Sequence, residues 1–288
     1  MSVRLGAVGY LNARPLVYGL ECGNRFSVRF DVPSECARLL HEDAIDVGLI
    51  PSIEYLRGGP YAIAPDLAIA SDGPVASVAL FTTRPMKDVR SIAMDTSSRT
   101  SVALARVLCA RLFRIQPTIE SRGPDLADML ACCDAALIIG DTALFLEPGD
   151  VPGLKTRPTD EDPQPALKSR PTSGNRVEKI DLGEAWRDMT GLPFVYAFWA
   201  GRPDALNAAD VAALQRARDE GVKRPEELAA QYLGGSSARR HRGADYLRNN
   251  IKYYLGESER AGLELFYAYA AEAGVVPRMD RLRFFEQP

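Results

Sequence analysis

The sequence is poor in the side chains that metal and acid–base chemistry most often uses. It has two histidines, His41 and His241, each without a second ligand at metal-binding spacing, so no zinc site is expected. Its five cysteines, Cys22, Cys36, Cys109, Cys132 and Cys133, are odd in number and form no C-x-x-C pair; they read as reduced, mostly packed thiols. No uninterrupted apolar run reaches the length of a membrane span. Neither sign of charge dominates: 35 Lys and Arg against 38 Asp and Glu leave a net charge of -3. The densest basic run, Arg239-Arg240-His241-Arg242, is too short to follow a phosphate backbone and reads as a solvated helix end. Neither nucleic acid nor membrane is therefore an expected partner. There is no P-loop and no dinucleotide fingerprint, so no cofactor is expected either. The opening Met-Ser-Val-Arg-Leu-Gly runs straight into a strand pattern, without the apolar stretch of a secretory signal, and a cytoplasmic protein is expected.

What the chain has is alternation. Val3 to Gly9, Phe26 to Asp31 and Ile45 to Ile50 read as strands separated by helical patterns, the arrangement of a parallel sheet. Asn12 fits the N-cap of the first helix, with Pro15 in its first turn. Ala62 to Ala70 and Val75 to Phe81 are strand-like, separated by the turn signal Ser71-Asp72-Gly73-Pro74. Ser77 interrupts an apolar strand; its hydroxyl either faces a polar side or bonds a neighbouring backbone group. After Arg84-Pro85 the alternation restarts, ending at Gly140-Asp141-Thr142, where Asp141 is either a helix cap or a ligand contact. Phe194 to Ala200 is a further buried strand, and the chain from Pro203 onward is helical.

The stretch Asp95-Thr96-Ser97-Ser98-Arg99-Thr100-Ser101 stands out, because it joins the strand Val89 to Met94 to the helical pattern beginning at Val102. A helix N-terminus has unpaired N–H groups and a partial positive charge, and so favours a carboxylate or phosphate. One hydroxyl would serve as a cap. Five, at Thr96, Ser97, Ser98, Thr100 and Ser101, with Arg99 among them, exceed that need and point to anion binding. In a parallel sheet the loops after strand C-termini gather on one edge, which places Asn12, Ser52 and the Ser97 stretch on ligand-binding edges.

At 288 residues the chain suits two lobes. Two α/β lobes, with crossing segments near 82 to 86 and 194 to 201 and a helical C-terminal tail, make the layout of a two-lobed type II periplasmic-binding-protein-like fold, which holds small anions in the cleft between its lobes. Residues 1–84 with 200–288 are assigned to the first lobe and 85–199 to the second. Within the second lobe, 156–178 has four prolines, many charges and few apolar residues, and reads as a disordered surface insertion.

Six stretches together, Gly9 to Leu16, Asp46 to Ser52, Asp72 to Ser77, Asp95 to Ser101, Ile139 to Asp141 and Thr190 to Val195, resemble the chorismate dehydratases of the futalosine route to menaquinone, the MqnA family. The resemblance runs in order from about residue 3 to 220 and is interrupted at 156–178. It implies a hydro-lyase that converts chorismate to 3-[(1-carboxyvinyl)oxy]benzoate and water, acts without a cofactor, and is a monomer or homodimer. Asn12 and Ser77 match positions associated with the substrate site, and Ser98, Arg99, Thr100 and Asp141 fall in the cleft motifs. Arg14, Ser52 and Ser97 lie in the same stretches and complete the expected substrate contacts, with Asn12, Ser77 and Asp141 as the expected catalytic group. For the proton-abstracting base, Asp141, Glu54 and the side-chain carboxylate of the substrate itself remain open. Two other functions remain: the related 1,4-dihydroxy-6-naphthoate synthase, whose family resemblance implies a histidine in the chemistry, and a non-catalytic binding protein for a small cyclic carboxylate.

Overall fold

The strand–helix alternation builds two sheets facing one another across a cleft. The computed structural model describes residues 2–147, 149, 155–156, 176–277 and 281–286. Among them the strands are β1 Val3–Val8, β2 Phe26–Asp31, β3 Val47–Pro51, β4 Ala62–Ile63, β5 Ile69–Ser71, β6 Val78–Thr82, β7 Ser91–Met94, β8 Thr118–Ser121, β9 Ala135–Ile139, β10 Lys155–Thr156, β11 Arg176–Asp181 and β12 Phe194–Gly201. The first sheet has the order β2-β1-β3-β12-β4, with β5 also on β12; the second has the order β10-β11-β6-β9-β7-β8. β2, β1 and β3 are parallel, as the alternation of strands with helical patterns predicts.

One strand in each sheet is reversed in a way that decides the cleft. β12 runs antiparallel to β3, with Ala197 opposite Pro51, and β6 runs antiparallel to β9, with Val78 opposite Ile139. A reversed strand presents its N-terminal end where its neighbours present their C-termini. Ser77, just before β6, and Tyr196 and Ala197, in the first half of β12, therefore reach the same edges as Asn12, Pro51 and Gly140.

The sheets also correct the expected boundaries. β6, assigned by sequence to the first lobe, pairs only within the second sheet, and β12, assigned to the second, lies wholly in the first. The chain thus crosses at Asp72–Ser77 and at Leu182–Pro193. Arg84-Pro85, taken for the break, is a turn inside the second sheet. The end of the expected insertion is corrected as well: Glu178 pairs with Thr82 and Val177 is buried, because antiparallel pairing to β6 orders a segment that its composition does not. Residues 157–175 lie outside the described residues.

The helices are α1 Pro33–His41, α2 Arg99–Leu108, α3 Leu126–Cys132, α4 Gly140–Phe145, α5 Leu182–Thr190, α6 Ala208–Gly221, α7 Pro225–Tyr232, α8 Ser237–Asp245 and α9 Glu257–Glu272. Both α2 and α8 run on into one π turn, Cys109–Phe113 and Tyr246–Asn250. Trp186 of α5 packs edge-on against Phe194 of β12 and Phe266 of α9, with ring centroids 5.2 and 6.0 Å apart, and its indole N–H donates to the Pro193 carbonyl. This buried aromatic knot anchors the second crossing and packs α9 against the first sheet. Among the described residues no helix is long and apolar enough to cross a membrane.

Candidate functional site

A narrow cavity lies between the two sheet edges. Val8, Pro33, Pro51, Ile69, Val75, Val78, Ile139 and Ala197 give it apolar walls, and Tyr10, Asn12, Ser77, Ser98, Ser101 and Tyr196 supply its polar side chains. Among the described residues no Asp, Glu, His, Lys or Arg lines it. Apolar walls with a few convergent neutral donors suit a small cyclic ligand. Burial pushes the pKa of both cavity phenols, Tyr10 and Tyr196, upward, so they stay protonated at neutral pH.

Each polar group has a local reason for its position. Asn12 lies inside the 3-10 turn Leu11–Val17 and not at its cap, which is Tyr10, and this corrects the capping role read from sequence. Its Oδ1 is buried with no protein partner, a cost of about 1 to 3 kcal/mol unless a ligand donor satisfies it. Ser98 caps α2, its Oγ accepting from the Ser101 N–H and lying 3.0 Å from Ser101 Oγ, so the first turn of α2 brings two serines to the cavity together. Ser77 follows Ala76, which sits at φ +62°, a conformation costing a non-glycine residue roughly 1 to 2 kcal/mol. The Asp181 carboxylate offsets that cost by accepting from the Val75 and Ala76 N–H groups at 3.0 and 2.6 Å. Gly140 closes the floor. Its φ is +65°, a Cβ there would come within 3.0 Å of the Tyr10 ring, and its N–H donates to the Ser77 carbonyl at 2.8 Å.

Of the expected site residues, Asn12, Ser77 and Ser98 line this cavity; Ser52, Ser97, Arg99, Thr100 and Asp141 join the two halves of the molecule around it, and Arg14 packs within the first half. Thr100 Oγ1 accepts from the Ile53 N–H at 3.1 Å and lies 3.4 Å from Ser52 Oγ, which donates to the Val195 carbonyl. Ser97 Oγ lies 3.3 Å from the Tyr10 hydroxyl, and its carbonyl accepts from the Ser34 N–H. Arg99 pairs with Glu54 across the cleft at 2.7 Å. Arg14 packs its guanidinium between the Phe30 and Tyr232 rings. Asp141 does not cap its own helix, where Ile139 takes that position; its carboxylate accepts from the Leu11 N–H at 3.2 Å and the Tyr232 hydroxyl at 2.5 Å. Burial raises its pKa against those two hydrogen bonds.

Glu54 is fully buried and accepts from Arg57, Arg99 and His41. Burial alone would raise its pKa, but the hydrogen bonds of His41 and Arg57 and the charges of Arg99 and Arg57 prevail and hold it at about 2. It is an ionised anchor outside the cavity. His41 also lies against the Tyr61 hydroxyl, and His241 is an exposed partner of Asp245, so neither histidine reaches the cavity.

Sequence reading missed Tyr10, Tyr196 and Tyr246 as site residues, and counted Ser101 only among the hydroxyls of the α2 start. Tyr10 stands inside the quoted stretches, and Tyr196 follows directly on the last of them, in a strand buried throughout that gives it no signal of its own. Tyr246, whose hydroxyl donates to Ser77 Oγ at 2.8 Å from 169 residues away, carries no local signal.

A family model described as menaquinone biosynthesis matches residues 3–272. The chorismate dehydratase of Thermus thermophilus is 34% identical over 268 residues, covering 91% of this chain and 93% of that protein. Among solved structures, an Archaeoglobus fulgidus protein superposes with a TM-score of 0.71 at 17% identity over 96% of this chain and 98% of its own. The periplasmic aliphatic sulphonate-binding protein SsuA of Escherichia coli does so at 0.63 and 16% identity, over 96% and 94%. At such identities these structures speak for the fold alone, which is the periplasmic-binding-protein fold expected from the layout. The family match spans most of the chain and the relative's identity extends over nine-tenths of it, and the chain therefore belongs to the menaquinone-biosynthesis family.

Proposed function

We propose that the protein is a chorismate dehydratase of the futalosine route, a cofactor-independent cytoplasmic hydro-lyase that converts chorismate to 3-[(1-carboxyvinyl)oxy]benzoate and water. The observation that carries this reading, beside the 34% identity to a chorismate dehydratase, is a cavity of neutral donors between apolar walls. The ring of chorismate would lie against the apolar walls. Its carboxylates need donors, which the α2 N-terminus with Ser98 and Ser101 offers on one side and Asn12 with Ser77 on the other. The orphaned Asn12 Oδ1 would accept from the substrate hydroxyl.

The chemistry asks for removal of the ring C3 proton and loss of the C4 hydroxyl, which leaves an aromatic ring. Charge left at C3 spreads through the adjacent alkene toward the ring carboxylate, where fixed donors stabilise it. With no carboxylate or imidazole among the described residues lining the cavity, the side-chain carboxylate of the substrate is the favoured base. The neutral cradle suits that role, since a guanidinium beside this carboxylate would lower its pKa by about 1 to 3 and weaken it. The absence of His41 and His241 from the cavity argues against the naphthoate synthase reading.

The test is incubation of the purified, EDTA-treated protein with chorismate, followed by chromatography and mass spectrometry. The expected product has lost one water and gained an aromatic spectrum. Bound but unchanged chorismate would favour a binding protein, and activity restored only by a divalent ion would overturn cofactor independence.

A further inference from the structure

Ser77 is held from three directions. Asp181 fixes the two amides before it, and the Gly140 N–H fixes its carbonyl. The phenol of Tyr246 reaches its hydroxyl from the π turn that extends α8. Both residues are 2% exposed. The backbone contacts leave Ser77 little freedom beyond rotation of its side chain and its O–H, and Tyr246 is the group that bears on that rotation. Asn12 bears on the same phenol, so the two cavity residues of the Asn12 and Ser77 side converge on one buried hydroxyl. π turns interrupt α-helices at a cost in regularity and recur at functional positions.

We propose that Tyr246 is a positioning residue that sets the polarity of Ser77, keeping its hydroxyl a hydrogen-bond donor toward the cavity. A serine hydroxyl has one O–H and two lone pairs and can face a ligand as donor or acceptor. When Tyr246 donates to Ser77 Oγ, one lone pair is taken and the serine O–H is left to point at a ligand oxygen. The relay from phenol to serine to ligand also polarises each member in turn. Burial raises the pKa of Tyr246, so this donor is present across the working pH range. The proposal rests on the dehydratase reading for what the donor does: it meets an oxygen whose negative charge grows as the proton leaves, and so acts more on the transition state than on the bound substrate.

The test is a double-mutant cycle of Tyr246→Phe and Ser77→Ala, with folding checked by thermal melting. Tyr246→Phe is expected to lower kcat on chorismate about ten- to thirtyfold with KM changed less than about threefold, and to change kcat less than about twofold when Ser77 is already Ala. A merely structural tyrosine would cost the same in both backgrounds; that result, or no loss in the wild-type background, overturns the proposal. The same cycle is read as affinity for benzoate, a ring carboxylate that the site cannot dehydrate. There, weakening by Tyr246→Phe only when Ser77 is present is expected, and equal weakening in both backgrounds overturns it. A wild-type protein that binds benzoate but leaves chorismate unchanged would count against the function while the Tyr246–Ser77 coupling stays decidable. Should Tyr246→Phe not fold, 3-fluorotyrosine at position 246, a stronger donor of nearly the same shape, is expected to keep kcat at or above wild type, and a tenfold loss there overturns the proposal.

Discussion

Replacing Glu54 with Gln tests whether this carboxylate is an anchor or a base. Its side chain is fully buried and carries three donors, Arg57 at 2.7 Å, Arg99 at 2.7 Å and His41 at 3.2 Å, of which Arg99 belongs to the opposite half of the molecule. A carboxyl held at about 2 in place of 4.5 contributes about 3 kcal/mol of stability at neutral pH. Because the folded pKa is depressed, that contribution is complete above the unfolded pKa and is lost as pH falls toward the folded one. The stability gap between wild type and Glu54→Gln is therefore expected to be about 3 kcal/mol at pH 7, about 2 at pH 3.5 and under about 1 at pH 2.5. Urea unfolding followed by the fluorescence of buried Trp186 and Trp199 measures it. At pH 7, below its unfolding transition, the variant should keep kcat within about threefold of wild type, since Glu54 does not line the cavity. A gap under 1 kcal/mol at pH 7, a gap independent of pH, or a hundredfold loss of kcat would each refute the reasoning.

The remaining predictions follow the same division between cavity and closure. Thr100→Ala leaves the buried Ile53 N–H without its acceptor and should cost about 1 to 3 kcal/mol of stability with KM little changed; a raised KM at unchanged stability would return Thr100 to the substrate site. Asn12→Asp replaces a neutral amide with a charge facing a dianion and should lower kcat/KM at least about a hundredfold, and near-normal turnover would remove Asn12 from the site. Asp141→Asn keeps an acceptor for Leu11 or Tyr232 and should reduce kcat less than about tenfold. A collapse of kcat in the folded variant would make Asp141 the base.

Local chemistry in the sequence determined much of this protein. Apolar runs marked β1, β3, β7 and β9, the hydroxyl-rich run through Ser98 marked the start of α2, and two histidines without a second ligand at metal spacing gave no zinc motif. These signals depend on neighbours a few residues away, and a few residues are enough to read them. Strand direction is different in kind. The reversal of β6 and β12 follows from pairing with distant strands, and it alone brings Ser77, Tyr196 and Ala197 to the cavity and shifts the crossings to Asp72–Ser77 and Leu182–Pro193. Side-chain aim is also tertiary. Thr100, Arg99 and Asp141 stand in stretches that look like ligand contacts, yet Ile53, Glu54, Leu11 and Tyr232 satisfy them, because a polar group entering a closing seam takes whichever buried partner the other half presents. Tyr246 shows the limit most clearly: nothing around it in the chain distinguishes it from a core tyrosine, and only packing of the π turn against the crossing segment sets its hydroxyl 2.8 Å from Ser77.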